Sequence, residues 1–281
     1  MVFHTQLSLK QNIEGLISQN QKIGLVPTMG ALHKGHLALV KKALKMNDLV
    51  VVSIFVNPTQ FDNSNDLKKY PRTLEEDVTL LQSLKGNLLI YAPEPSDLYG
   101  KQVTSKKYYF GGIEKQMEGK FRKGHFDGVG TVLNLLFRAV MPTNAYFGEK
   151  DFQQLQIVKK LVTIEKLPIK IIGCPIEREP HGLAMSSRNK RLTKKQFQEA
   201  SFIYTTLKEV QKKFDKASIV TLKKLVEKRF SENNTLTLEY FEIAAIKNLK
   251  PAQRKIKKNT YRAFIAAFAG EVRLIDNIAL N

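Results

Sequence analysis

The sequence predicts an α/β protein: a doubly wound parallel sheet followed by a smaller α+β domain. Three observations lead there. Between residues 23 and 174, short apolar runs alternate with stretches of helical spacing. The alternation stops at Cys174-Pro175, after which two basic helical stretches precede a group of strand-like ones. At 281 residues the chain also has room for two cores.

The elements follow in order. Ile23-Gly24-Leu25-Val26 is apolar throughout and ends at Pro27, as a buried strand does. Residues 34–46 read as a helix, with Leu37, Val40 and Leu44 on one face. Leu49 to Val56 is a second buried strand, stopped by Asn57-Pro58. Together these three form a βαβ unit with a right-handed crossover. Thr73 to Leu84 reads as a helix with Thr73 as its cap and Glu76 completing a capping box. Leu88 to Tyr91 is a strand, Val129 to Val140 a helix, Ala145 to Phe147 a strand, Phe152 to Leu167 a helix and Ile169 to Cys174 a strand. Strands that alternate with helices in this way give a parallel, Rossmann-like sheet with helices on both faces. Beyond it, helices are expected over 193–213 and 218–230. Strands are expected at Leu236 to Ile243, Tyr261 to Ala269 and Val272 to Ile275. The domains are expected to be 1–176 and 177–281.

Composition narrows the function classes. No run approaches the ~20 apolar residues that span a bilayer, and the first residues lack the basic start and apolar stretch of a signal peptide. Cys174 is the only cysteine, so no internal disulfide can form and a cytoplasmic location is expected. The formal charge is +19, and after residue 176 basic residues outnumber acidic ones two to one. They fall at helical spacing, as in Lys208, Lys212, Lys213 and Lys216, without interleaved aromatics. That is the pattern of solvated helix faces, and no nucleic-acid partner is expected from it. A basic nucleic-acid-binding protein remains the alternative of a different class.

Two short motifs carry chemistry. Pro27-Thr28-Met29-Gly30-Ala31-Leu32-His33-Lys34-Gly35-His36 places a His-x-Gly-His box directly after a strand. A helix starting near Lys34 sets both imidazoles at its N-terminal turn, where free N–H groups and the positive end of the dipole favour phosphate. Gly35 would let a nucleotide lie against the backbone. The second motif, Met185-Ser186-Ser187-Arg188, offers two hydroxyls and a guanidinium fork suited to phosphate oxygens. Gly148-Glu149-Lys150-Asp151 follows a strand at the end where doubly wound folds bind ligands. There Lys150 is a candidate phosphate cation. Asp151 is a candidate ribose acceptor, a helix cap, or both. These groups suggest an enzyme that binds ATP and moves its AMP portion onto an acid.

With those residues in hand the chain resembles the pantothenate synthetases, the pantoate–β-alanine ligases of the HxGH nucleotidyltransferase superfamily. The likeness extends through Asn57-Pro58-Thr59-Gln60-Phe61, Tyr70-Pro71-Arg72-Thr73 and Gly124-His125-Phe126-Asp127-Gly128-Val129. It continues through Phe147 to Leu155, Gly182 to Asn189 and Arg273 to Asn277. The resemblance implies ATP-dependent joining of pantoate and β-alanine through a pantoyl adenylate, with release of pyrophosphate and AMP. It implies that His33, His36, Lys150 and Arg188 act in the chemistry. Met29, Gly148, Asp151, Glu177, Met185, Ser186 and Ser187 would join them around ATP. Gln60, Gln154 and Met29 would hold pantoate, Asn57 would help to seat β-alanine, and Asp77 would sit near Mg²⁺. A homodimer is also implied. His4 and His181 read as incidental and His125 as a loop anchor. Lys123 stands where many relatives carry proline, which concerns the stiffness of that turn and the placing of Arg122. Another HxGH adenylyltransferase is the alternative within the same class.

Overall fold

The computed structural model describes residues 1–281. Its main sheet has six parallel strands: β1 (Val2–Phe3), β2 (Ile23–Thr28), β3 (Leu49–Ile54), β4 (Leu88–Tyr91), β5 (Asn144–Gly148) and β6 (Lys170–Cys174). Their order is β1-β4-β3-β2-β5-β6. Successive residues of each strand enter opposite layers, as the period of two requires. Leu25 and Val51 pack under α1 (Gln6–Ser18), and Val26 and Val52 pack under α2 (Lys34–Leu44). Both faces are therefore buried, which is why these strands read as continuous apolar runs. The order reverses between β2 and β5, and at such a switch point the strand ends diverge and leave a crevice.

Short helices α3 (Ser64–Lys68), α4 (Leu74–Gln82), α5 (Pro95–Tyr99) and α6 (Met117–Phe121) follow in the loops, before α7 (His125–Val140) and α8 (Phe152–Ile164). Sequence analysis assigns no element to α1, whose polar composition hides a stripe anchored by buried Leu9 and Ile13. It also starts α7 four residues late, because Gly128 and Gly130 weaken the helical pattern. Gly128 is needed there: a Cβ would lie 2.3 Å from the Thr59 carbonyl oxygen, so only glycine allows α7 to approach that loop. The expected capping box at Thr73 does not form, for its hydroxyl makes no cap bond. The expected 193–213 helix is two helices, α9 (Lys194–Glu199) and α10 (Ser201–Lys213), separated at Ala200. A genuine capping box begins the first, between Thr193 and Gln196.

After α11 (Ile219–Ser231) come β7 (Leu236–Ala245), β8 (Tyr261–Ala269) and β9 (Val272–Ala279), an antiparallel meander. Helices α10 and α11 cover it, with Leu207, Val210, Leu222 and Val226 buried against Ile243, Ala263 and Ile265. With the parallel sheet and its helices taken as the first unit and α9 to β9 as the second, the two do not stay separate: Ala244, Phe264 and Leu249 of the β7–β8 loop belong to the core of the first. No helix is long and apolar enough to cross a membrane.

Candidate active site

The crevice at the carboxyl ends of β2 and β5 opens into a cleft whose far wall comes from the second unit. The loop after β2 forms its floor. Here the chain takes two left-handed steps in succession, at Gly30 (φ 79°) and Ala31 (φ 50°). A non-glycine residue in that region is strained, and Asp77 supplies the restraint. Its two carboxylate oxygens accept from the backbone N–H groups of Ala31 (2.8 Å) and Leu32 (2.7 Å). Burial pushes the Asp77 carboxyl up from its ordinary value, and those two bonds pull against it. Asp77 is 2% exposed and does not line the cleft. The carboxylate that the resemblance puts near Mg²⁺ is turned into the loop it holds.

His33 caps α2, and its Nδ1 accepts from the Gly35 N–H at 3.1 Å. The ring proton therefore lies on Nε2. A Cβ at Gly35 would meet this ring at 2.8 Å. Glycine is therefore needed here for the His33 ring to fit, and Gly35 itself lines the cleft. The His36 ring lies 4.1 Å from it, and His36 Nδ1 is buried without a partner. Burial, with the Lys150 charge next, lowers the His33 pKa to about 4. Burial, then His33 and Lys150, holds His36 well below its ordinary value. Both imidazoles are neutral at pH 7 and able to give one N–H each to an anion.

Ser187 joins the second motif to this floor. Its hydroxyl donates to the Ala31 carbonyl at 3.0 Å, bridging 156 positions of sequence. Ser186 caps the 3₁₀ turn Ser187–Arg191, accepting from the Arg188 N–H at 3.3 Å. Arg188 reaches Asp66 at 2.7 Å and lies 5.5 Å from the centre of the Tyr70 ring. On the β5 side, Asn277 of β9 donates to the carbonyls of Glu149 (2.9 Å) and Lys150 (2.8 Å). It thereby fixes the loop that carries Lys150 and Asp151, whose side chains lie 3.5 Å apart. Asp151 makes no cap bond to α8. Met29, Gly148, Glu177 and Met185 line the same cleft.

The inner end is more apolar, with Phe55, Val129, Leu133 and Phe152. Two glutamines face it. Gln60 is held by the Met29 sulfur at 3.0 Å and by Asn57 at 3.1 Å. Gln154 has no side-chain hydrogen bond and is free to meet a ligand, while its neighbour Gln153 is fully engaged with Ile113, Gln116 and Glu118. Asn57 is 1% exposed. Its amide is spent on Gly128, Gln60, Thr59 and Tyr99. Asn57 lines the cleft, and its polar atoms hold Gln60 and α7 in place.

Sequence reasoning missed the other end of the cleft. His125 donates from Nδ1 to the Gln60 carbonyl at 2.8 Å, and its Nε2 accepts from Arg122 at 3.1 Å. Burial, with Arg122 next, lowers its pKa to about 3. His125 anchors the loop to Gln60 and holds Arg122 in place. Glu118 accepts both arms of Arg273 at 2.8 Å and the Tyr240 hydroxyl at 2.8 Å. No local pattern reveals this cluster, since its members lie on α6, β7 and β9. His4 and His181 donate to the Ala92 and Phe197 carbonyls, at 2.8 and 2.9 Å, away from the cleft.

The chain is similar to known proteins over its whole length. The family described as Pantoate-beta-alanine ligase matches residues 1–279. The pantothenate synthetase of Christiangramia forsetii is 52% identical over 280 residues, covering 100% of this chain and 99% of that protein. That of Bacteroides thetaiotaomicron is 44% identical over 277 residues, covering 99% and 98%. The crystal structure of pantothenate synthetase from Thermus thermophilus aligns with a TM-score of 0.91 at 35% identity, covering 99% of both chains. A Francisella tularensis structure, described as pantoate-beta-alanine ligase complexed with beta-gamma ATP and β-alanine, aligns with a TM-score of 0.82 at 38% identity, covering 100% and 97%.

Proposed function

The chain belongs to the pantoate–β-alanine ligase family, and from that premise we propose that the cleft joins pantoate to β-alanine at the expense of ATP. The observation that carries the assignment is the convergence of both phosphate motifs on one floor, through the Ser187 bond to Ala31.

In the first step a pantoate carboxylate oxygen attacks the α-phosphorus of ATP, and the bond to the bridging oxygen breaks with pyrophosphate leaving. Negative charge grows on the phosphate oxygens. The Nε2–H of His33, the imidazole of His36, Lys150, Ser186 and Arg188 are arranged to receive it. The backbone that carries His33, His36 and Ser186 is held by the Ser187 bond to Ala31 before the substrate arrives. Gln60 and Gln154 hold pantoate through amide hydrogen bonds, with Met29 against its methyl groups. Gly148 and Asp151 sit where a ribose would lie, and Glu177 and Met185 line the nucleotide side. In the second step the β-alanine amine attacks the acyl carbon and AMP departs. No covalent nucleophile on the protein is required, because proximity and charge stabilisation suffice.

Mg²⁺ enters with ATP as part of the substrate. The phosphates and water would supply most of its ligands, and one carboxylate such as Asp77 would be enough from the protein. A cytoplasmic homodimer is the assembly that the resemblance supports, and light scattering after size exclusion checks it.

The deciding experiment is pantoate-dependent exchange of labelled pyrophosphate into ATP, with Mg²⁺ and no β-alanine. Exchange that requires pantoate is the expected result. A folded, ATP-binding protein without such exchange would overturn the assignment of the acid.

A further inference from the structure

Arg188 and Arg191 share one carboxylate. Arg188 Nη2 lies 2.7 Å from one oxygen of Asp66, and Arg191 Nη1 lies 2.8 Å from the other. The cause is local geometry. Both arginines belong to the 3₁₀ turn Ser187–Arg191, in which residues three apart eclipse one another. Their guanidinium groups therefore reach the same side. Each gives one N–H to one oxygen of the same anion, an arrangement that phosphate oxygens can equally accept.

Asp66 arrives from the opposite wall on α3, a single turn with no buried residue. The segment that carries it crosses to the far side through charge. Asp62 approaches Arg122 at 3.7 Å, Asp66 meets the two arginines, and Lys69 pairs with Glu271 at 2.8 Å. Beneath these pairs a second chamber opens off the ATP cleft. Lys150, Ser186 and Arg188 line both spaces, whereas Arg191 and Lys69 line only the outer one. The outer chamber thus begins where the phosphate-binding groups end.

We propose that Arg191 is a further phosphate-binding residue of the reaction, and that Asp66 is a positioning residue whose carboxylate stands in for the outer phosphates until ATP displaces it. This rests on the assignment of Arg188 to the phosphates of ATP. Without nucleotide, Asp66 keeps two cations aimed at one point, and the charge it gives up when ATP binds outweighs the ordering it spares. With nucleotide, the outer phosphates take both forks and Asp66 withdraws with its segment. When the bond at the α-phosphorus has broken, pyrophosphate sits between Arg188 and Arg191, and Asp66 competes for them again as it leaves through the outer chamber.

The competition fixes a sign that a merely structural role would not give. Occupancy of the arginines by Asp66 lowers the apparent affinity for ATP by the fraction of time they are taken. Asp66→Asn keeps shape and removes charge. It is expected to tighten ATP and pyrophosphate binding about threefold to tenfold, to lower the KM for ATP and to strengthen product inhibition by pyrophosphate. Asp66→Glu should restore wild-type behaviour in part. Arg191→Gln should weaken ATP and pyrophosphate and leave the KM for pantoate unchanged. Titration calorimetry with ATP and with pyrophosphate, in the presence of Mg²⁺, reads all three, and thermal unfolding certifies the fold. Weaker or unchanged ATP binding in Asp66→Asn would overturn the exchange, and unchanged binding in Arg191→Gln would overturn the new phosphate contact. Arg188→Gln separates the premise from the proposal. If that variant binds ATP normally, the assignment of the phosphates is wrong. If it binds weakly while Arg191→Gln binds normally, the assignment stands and this inference falls.

Discussion

The histidines of the HxGH box are built to be neutral. Burial lowers His33 to about 4, against an ordinary value of 6.5. The sign follows: its contribution to stability is complete above pH 6.5 and is lost as pH falls toward 4. Phosphate beside the ring favours the charged form, so ATP binding should raise this pKa and take up a fraction of a proton below neutrality. Proton NMR of the ring should show no His33 inflection above pH 5 in the free protein and a higher one with Mg-ATP. An inflection near 6.5 in both would contradict the burial. His36→Ala or Lys150→Ala should slow pyrophosphate exchange by roughly 10²–10³-fold, the range for losing one well-placed donor. Near-normal exchange in a folded variant would remove that residue from the chemistry. Gln60→Ala should raise the KM for pantoate more than that for ATP, and equal losses would count against its assignment. These residues are legible in the sequence because each lies in a short continuous motif. For Asp77 and Asn57 the sequence says less. A motif shows that a carboxylate or amide is present but not what it bonds to, and here both hold neighbouring loops.

Among the elements, the loop between β2 and α2 carries the most constraint. A strained Ala31, a clamp from α4 and a bond from Ser187 meet within three residues. Asp77→Ala would leave two buried N–H groups without partners, a loss of about 2–4 kcal/mol. Chemical denaturation measures it, and the ATP KM should rise as the floor loosens. An unchanged response to free Mg²⁺ would leave Asp77 a loop clamp alone, whereas a metal ligand's loss would shift it. Long, strongly patterned elements such as β2, β3 and α8 are legible from apolar spacing. Helix α1, the one-turn helices and the break at Ala200 are not, because their positions depend on packing partners distant in sequence. The late start given to α7 shows the same limit. Gly128 weakens the local pattern, and its purpose appears only when the Thr59 carbonyl is seen against it.

Across the whole molecule, Glu118 on α6 and Arg273 on β9 tie the two units together. Burial opposes ionisation of Glu118, but the Arg273 fork prevails and brings its carboxyl down to about 2 from 4.5. A lowered carboxylate stabilises the fold above its unfolded pKa. That stability is therefore full above about pH 4.5 and is lost as pH falls toward 2. Arg273→Met should cost about 3–5 kcal/mol at neutral pH, the penalty for a buried charge left alone. It should also flatten the acid limb, as urea midpoints between pH 2.5 and 7 would show. An acid limb as steep as that of the wild type would mean that another carboxylate controls it.

Phe264, Leu249 and Ala244 enter the core beneath the main sheet, so the meander is part of the first unit's interior. A gene cut near residue 176 would then yield no stand-alone nucleotide-binding half. The amino-terminal fragment would expose an apolar scar, and the carboxyl-terminal fragment would carry the matching one. Expressed apart, each should be insoluble. Co-expressed, they should find each other and restore activity, which makes this enzyme a candidate split reporter rather than a source of portable modules.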